Sequence, residues 1–154
     1  METKELTSEL SRQGIEYELL SHARTEHAAD EAAALGVTER KVGKTLILKS
    51  GDRYVRAVLP ASERLDLRRV REHLDDRELR LATEGELAEA YADFELGAVP
   101  PFGGRAGDRV LIDRRIAELD QVTLEAGTHV DSLTLRVRDL STLTNAEVID
   151  LCSE

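Results

Sequence analysis

Two short apolar runs separated by a tight polar turn constrain this chain most. The first is Val42-Gly43-Lys44-Thr45-Leu46-Ile47-Leu48-Lys49, and the second runs from Tyr54 to Leu59. Both are rich in Val, Ile, Leu or Tyr, and Ser50-Gly51-Asp52-Arg53 joins them, which predicts a β-hairpin. Lys44 then stands at the mouth of a strand. Gly43-Lys44-Thr45 is also the tail of a phosphate-binding P-loop. That motif needs a glycine five residues before Gly43 and a helix after Thr45. The earlier position is Thr38, Gly36 is out of register, and Leu46-Ile47-Leu48 continues a strand. The P-loop reading fails on both counts.

A hairpin needs a core to lie on. The 154 residues suffice for one, and we expect a single domain spanning 1–154. Aromatic residues are only 3% and tryptophan is absent, so the core must be Leu, Val, Ile and Ala. Platforms for stacking bases are nearly unavailable for the same reason. The net charge of −10 argues against coating nucleic acid through bulk charge, and no DNA partner is expected. Local contact with one end of an RNA stays open. Basic clusters at Arg64, Arg68, Arg69 and Arg71, and at Arg105, Arg109, Arg114 and Arg115, read most simply as solvated faces. The one cysteine, Cys152, rules out a disulfide framework or a cysteine zinc site within one chain, which suits the cytoplasm. No apolar run reaches 18 residues, and Met1 to Glu5 does not read as a signal peptide, so no membrane partner is expected.

In chain order, Leu6 and Leu10 mark a helix over Lys4 to Arg12, closed by Gly14. Ile15, Tyr17 and Leu19 alternate with Glu16 and Glu18, predicting a strand with one wet face. Thr25 is placed to cap an alanine-rich helix that ends at Gly36, with His22 and His27 flanking its start. Neither histidine has a second ligand at the spacing of a metal site. Asp66 to Leu74 reads as a helix, Leu79 to Leu81 as a short strand, and Thr83-Glu84-Gly85-Glu86 as a capping box opening a helix to about Tyr91. Asp108 to Ile112 is a strand, and Asp113 to Leu119 a helical turn. Val122 to Leu124 is a strand, Ala126 to His129 a turn, and Leu133 to Val137 a strand. Asp139 then caps a last helix, and Val148, Ile149 and Leu151 dock the tail. Hairpins and crossovers are mixed, which makes the class α+β with a mixed sheet.

The chemistry available is sparse. No Gly-x-Ser-x-Gly, His-Glu-x-x-His or Gly-x-Gly-x-x-Gly pattern is present. What stands out is Lys44, the Ala126 to His129 turn, and a loop from Asp93 to Gly104. Residues 97–104 of that loop hold three glycines and two prolines, together with Val99 and Phe102. Such a loop is either a rigid cradle of backbone amides for a carbonyl or phosphate, or a tight corner between layers. This kit suits holding an anionic ligand and aiming water at its ester better than it suits a protein nucleophile.

These residues carry a resemblance. Val42 to Leu48, Ala57-Val58-Leu59-Pro60, Arg64-Leu65-Asp66-Leu67, Leu81-Ala82-Thr83, Gly97 to Gly103, Leu111-Ile112-Asp113 and Ala126-Gly127-Thr128 follow one another as in the YbaK/prolyl-tRNA-synthetase-associated editing domains. The chain resembles that family from about Tyr17 to its tail. The resemblance implies a mixed sheet curled toward a barrel, with helices packed around it. It implies hydrolysis of mischarged aminoacyl-tRNA, mostly tRNA for proline carrying a wrong residue such as alanine or cysteine, without a cofactor or metal. The partners it implies are that tRNA's aminoacyl-adenosine end and an aminoacyl-tRNA synthetase.

Residue by residue, Lys44 matches the family's functional lysine at the tRNA end, and Thr45 the pocket threonine. Gly97 and Pro101 match the ends of a Gly-x-x-x-Pro loop whose backbone holds the ester, with Ala98 inside it. Gly127, His129, Asp131 and Ser132 fall on the facing turn, and the pocket acid there is either Asp131 or Ser132. Catalysis in the family leans on the substrate's ribose hydroxyl, a water or a cysteinyl thiol. The chain departs from the pattern at Asp93, where many members have glycine, and at His129, which is our candidate for tuning amino-acid choice. The alternative is a non-catalytic module holding the tRNA 3′ end or another adenosine-bearing ligand.

Overall fold

A computed structural model of the chain describes residues 3–22, 35 and 41–153. Apart from Leu35, the helix expected between Thr25 and Gly36, and His27 with it, lies outside the described residues. Helix α1 (Thr3–Arg12) buries Leu6 and Leu10 and ends at Gly14, whose φ is +71°. Strands β2 (Gly43–Ser50) and β3 (Arg53–Pro60) form the predicted antiparallel hairpin, with Lys44 opposite Leu59. Helix α2 (Leu67–Leu74) is capped by the Asp66 side chain, which accepts from Arg69 N. After β4 (Arg80–Leu81), helix α3 (Glu84–Ala90) opens with both halves of the capping box: Glu86 N donates to Thr83 Oγ1 at 3.2 Å and Thr83 N to Glu86 Oε1 at 2.9 Å.

Strand β5 (Arg109–Asp113) lies parallel to β3, and Asp113 caps the short helix α4 (Arg114–Ala117). Strands β6 (Gln121–Thr128) and β7 (Asp131–Arg136) form a second hairpin, on which β1 (Tyr17–Ser21) adds as an edge. Helix α5 (Val137–Thr144) and β8 (Glu147–Ile149) complete the order.

The class is α+β with mixed pairing, as expected. Among the described residues the sheet does not close into a barrel. The described strands form two sheets, β4-β2-β3-β5-β8 and β1-β7-β6, meeting at a parallel bridge between Val42 and Thr123. Closing a barrel needs continuous pairing with a steady stagger. Here β4 is two residues long, and the β6–β7 register shifts between Glu125 and Thr128. The sheets pack closely where β2 passes over β6: a Cβ on Gly43 would stand 2.8 Å from Leu124 Cδ2. Ile47, Val58, Val99, Phe102, Ile112, Leu124 and Leu133 belong to the core between them. A second core, with Leu48, Ala57, Val70, Leu111 and Leu151, lies on the other face of the five-stranded sheet.

Several local expectations are corrected. Strand β6 runs on to Thr128, so Ala126 and Gly127 are strand residues and the turn is carried by His129 and Val130. Val137 begins α5 rather than ending β7, and Arg136, not Asp139, occupies the cap position. Tyr17 and Leu19 face the same way as their partners Leu135 and Leu133, yet remain 37% and 43% exposed. They sit on the outermost strand of the small sheet, whereas α1 packs at β6 on its other edge.

The tail docks through Leu151 and Ile149, whereas Val148, expected to dock with them, is 50% exposed. Leu151 N donates to Asp113 Oδ1 at 2.7 Å, Asp66 N to Leu151 O at 2.7 Å, and Ser153 N to Arg64 O at 2.9 Å. Asp150 pairs with Arg69 and Arg115. Burial acts to raise its carboxyl, but the hydrogen bonds from Arg115 and Arg69 win and hold it at about 2. A folded-state value below the ordinary one stabilises above the normal aspartate range and stops doing so as pH falls through it. Protection of amides 150–153, measured against their intrinsic exchange rates, should therefore fall between about pH 4 and pH 2, and Asp150→Asn should remove that pH dependence.

Candidate functional site

The loop after α3 is stitched to the end of β6. Glu95 N donates to Gly127 O at 2.9 Å, Gly127 N to Ala98 O at 3.0 Å, and Ala98 N to Glu95 O at 3.0 Å. Phe94, Val99 and Phe102 drop into the inter-sheet core, while Leu96 and Gly97 remain exposed. Gly97 has φ +80°, a left-handed conformation that side chains resist. Gly127 has φ +93°, and a Cβ there would meet Phe94 Cδ1 at 2.7 Å. Among the described residues, the amides of Gly97 and Val99 donate to no acceptor. At the front of the loop stands an exposed left-handed glycine, Gly97, whose own amide and that of Val99 are uncommitted among the described residues. Such groups can receive a carbonyl oxygen as charge develops on it.

The turn from Thr128 to Asp131 lies beside this loop. His129 is only 2% exposed, so it is not a solvated turn residue. Its Nε2 lies 2.5 Å from Leu96 O and its Nδ1 3.2 Å from Glu125 Oε2. A Cβ on Gly97 would be 3.4 Å from His129 Cε1, so the ring lies directly against Gly97. Asp131 closes the turn, accepting from Thr128 Oγ1 at 2.9 Å and from Ser21 Oγ at 3.1 Å. Ser132 is fully buried, with Oγ 2.9 Å from His22 Nε2, and it stands opposite Glu125 in register. Gly97, Ala98, Gly127, His129, Asp131 and Ser132 are therefore gathered at one end of the small sheet. Ala98 itself is buried and turns its methyl inward.

Lys44 and Thr45 separate across β2. Thr45 shares a face with Gly43, whose side packs on β6. Lys44 points the other way, and its charged neighbours are Arg64 and Glu63, with Cys152 close by. Burial pulls its ammonium below the usual lysine range. Arg64 adds to that, while Cys152 and Glu63 oppose it. Lys44 thus lies on the opposite face of the larger sheet from Gly43 and Thr45, the face that carries the second core. A cleft of about 440 Å³ runs behind the loop, between α1 and residues 101–108. No group of three His, Cys, Asp or Glu residues among those described is placed to hold a metal ion. No helix among them is long and apolar enough to cross a membrane.

Three residues escaped the sequence reading. Arg56 lies buried in the middle of β3 and binds the back of the loop. A charge inside the apolar run Tyr54 to Leu59 was its visible signal. Glu95 and Glu125 hold His129, and neither is distinguishable by sequence from the chain's many other carboxylates.

The described residues form a two-sheet α+β domain with a loop clamped on a strand end by main-chain hydrogen bonds. Residues 22–143 match the model of the aminoacyl-tRNA editing domain, and the chain belongs to that family. A proline–tRNA ligase of Fervidobacterium nodosum is 32% identical over 89 residues, covering 58% of this chain but only 15% of the ligase. The chain therefore spans a small part of that relative. Among solved structures, a hypothetical protein superimposes with a TM-score of 0.89 at 27% identity, over 99% of this chain and all of its own. A candidate trans-editing enzyme for prolyl-tRNA synthetase superimposes with a TM-score of 0.86 at 24% identity, over 99% of this chain and 97% of its own, a likeness of fold.

Proposed function

We propose that this chain is a deacylase acting in trans on mischarged aminoacyl-tRNA, with tRNA for proline carrying alanine or cysteine as its substrate. The observation that carries the reading is the exposed Gly97 with its uncommitted amides, in a chain of the editing-domain family. The name of the candidate trans-editing neighbour and the match to part of a proline–tRNA ligase support the choice of tRNA. In the reaction, water adds to the ester carbonyl while the loop amides take up the developing oxyanion. The bond to the ribose oxygen then breaks, and that oxygen leaves with a proton. Pro101 stiffens the loop. Thr45 and Gly127 are small, which suits a small side chain, and Asp131 and Ser132 are the polar groups of the facing turn. His129 acts on amino-acid choice through Gly97 rather than by direct contact. Lys44 meets a phosphate near the 3′ end, away from the ester. An aminoacyl-tRNA synthetase is the expected source of the mischarged tRNA.

The test is turnover of alanyl-, cysteinyl-, seryl- and prolyl-tRNA by the purified chain. We expect cleavage of the alanyl or cysteinyl species with prolyl-tRNA largely spared. A pocket sized for a methyl or thiol separates the two poorly, since a methylene-sized difference is worth only about 1–3 kcal/mol. Preferential cleavage of prolyl-tRNA sinks the reading, and tight binding without any cleavage returns the chain to a holding module. Cys152→Ser should leave the rate unchanged. Burial, with the charge of Asp113 adding to it, pushes this thiol up to about 12, so it is no nucleophile at neutral pH. A rate lost in that variant would place the chemistry on the tail.

A further inference from the structure

Arg56 occupies the middle of β3, paired with Ile47 on one side and Val110 on the other, and is only 1% exposed. Its guanidinium donates from Nη1 to Pro100 O at 2.9 Å, and from Nη2 to Gly103 O at 2.7 Å and Arg105 O at 3.1 Å. Its Nε donates to Asp108 Oδ2 at 3.0 Å. Tyr91 O–H donates to the same carboxylate oxygen at 2.5 Å, and the Tyr91 ring lies 5.0 Å from the guanidinium carbon. A buried ion pair is seldom retained for stability, because an apolar group of similar volume often serves as well or better. What a planar fork supplies is direction: several acceptors are fixed in one plane at once.

The loop needs that direction. Gly97, Gly103 and Gly104 all have positive φ, so the segment has much conformational freedom to lose. Its front is tied to β6 and His129. Its back is tied by this one side chain, which collects three carbonyls from residues 100–105. With those oxygens turned inward, the peptide planes on either side of Pro100 and Pro101 cannot rotate independently. We propose that Arg56 is a positioning residue for the Gly97–Pro101 loop, holding its free amides in the arrangement that receives the ester carbonyl. The inference rests on the deacylase reading.

The experiment compares wild type with Arg56→Lys, which keeps the charge but not the fork. With the substrate cleaved best, kcat should fall roughly tenfold, part of the hundredfold that a 1 Å misplacement can cost, with KM nearly unchanged. Without substrate, amide exchange over 97–105 should accelerate while exchange in β2 and β3 stays slow. An unchanged kcat, or a kcat that falls only with the folded fraction, overturns the proposal. So does unaltered loop exchange, even if the wild type cleaves no aminoacyl-tRNA and the deacylase reading itself fails. Should Arg56→Lys not fold, Asp108→Asn weakens the same clamp from its other end. The same pattern of kcat, KM and exchange is expected there, and its absence is equally decisive.

Discussion

Lys44→Ala should fold normally and lose roughly 10- to 150-fold in kcat/KM, the worth of about 1.5–3 kcal/mol for one charge-assisted contact to phosphate. The side chain is half-buried and forms no ion pair among the described residues, so its removal breaks nothing in the fold. Its place on the far side of β2 from Thr45 decides how the loss divides. A contact remote from the ester binds substrate and transition state alike, so KM should rise while kcat changes little. The salt dependence of binding should also weaken, its logarithmic slope falling by about 1. A variant with wild-type kcat/KM would remove Lys44 from the site. A loss confined to kcat would bring it to the reacting atoms after all.

Gly97→Ala should show the opposite division: turnover down on the order of 10²-fold, with tRNA affinity nearly kept. The added Cβ would stand 3.4 Å from His129 Cε1, which is ordinary contact, so crowding is not the cause. The cause is the φ of +80°, where an L side chain costs roughly 1–2 kcal/mol. The loop would relieve that by turning its peptides, and the amides of Gly97 and Val99 would lose their aim. Gly97→Asn separates the two effects, because asparagine tolerates this backbone region better despite its larger side chain. It should retain more turnover than alanine. Equal, wild-type turnover in both variants would reduce the loop to a corner between layers.

Much of this was legible in the residues themselves. The hairpin, the Asp66 and Thr83 caps, and the docking of Leu151 all follow from period, turn chemistry and capping, which act over a few residues. The Gly/Pro-rich loop and the lysine at a strand mouth were visible for the same reason, and the resemblance marked Gly97 and Pro101 in that loop. Errors fell where an element's end depends on what lies across from it. Strand β6 outruns Leu124 because β7 pairs with it through a bulge, and Tyr17 and Leu19 stay exposed because β1 is an edge.

The site divides in the same way. Sequence by itself marked a stiff Gly/Pro-rich backbone, since proline and glycine carry those properties wherever they occur, and the family resemblance singled out Gly97 within it. Only the tertiary structure decided that His129 is buried against Gly97, that Lys44 faces away from it, and that Arg56, more than 40 residues before the loop it ties, collects that loop's carbonyls. These are contacts between segments far apart in the chain. They arise from strand register and sheet packing, for which no local pattern of residues is a sufficient cause.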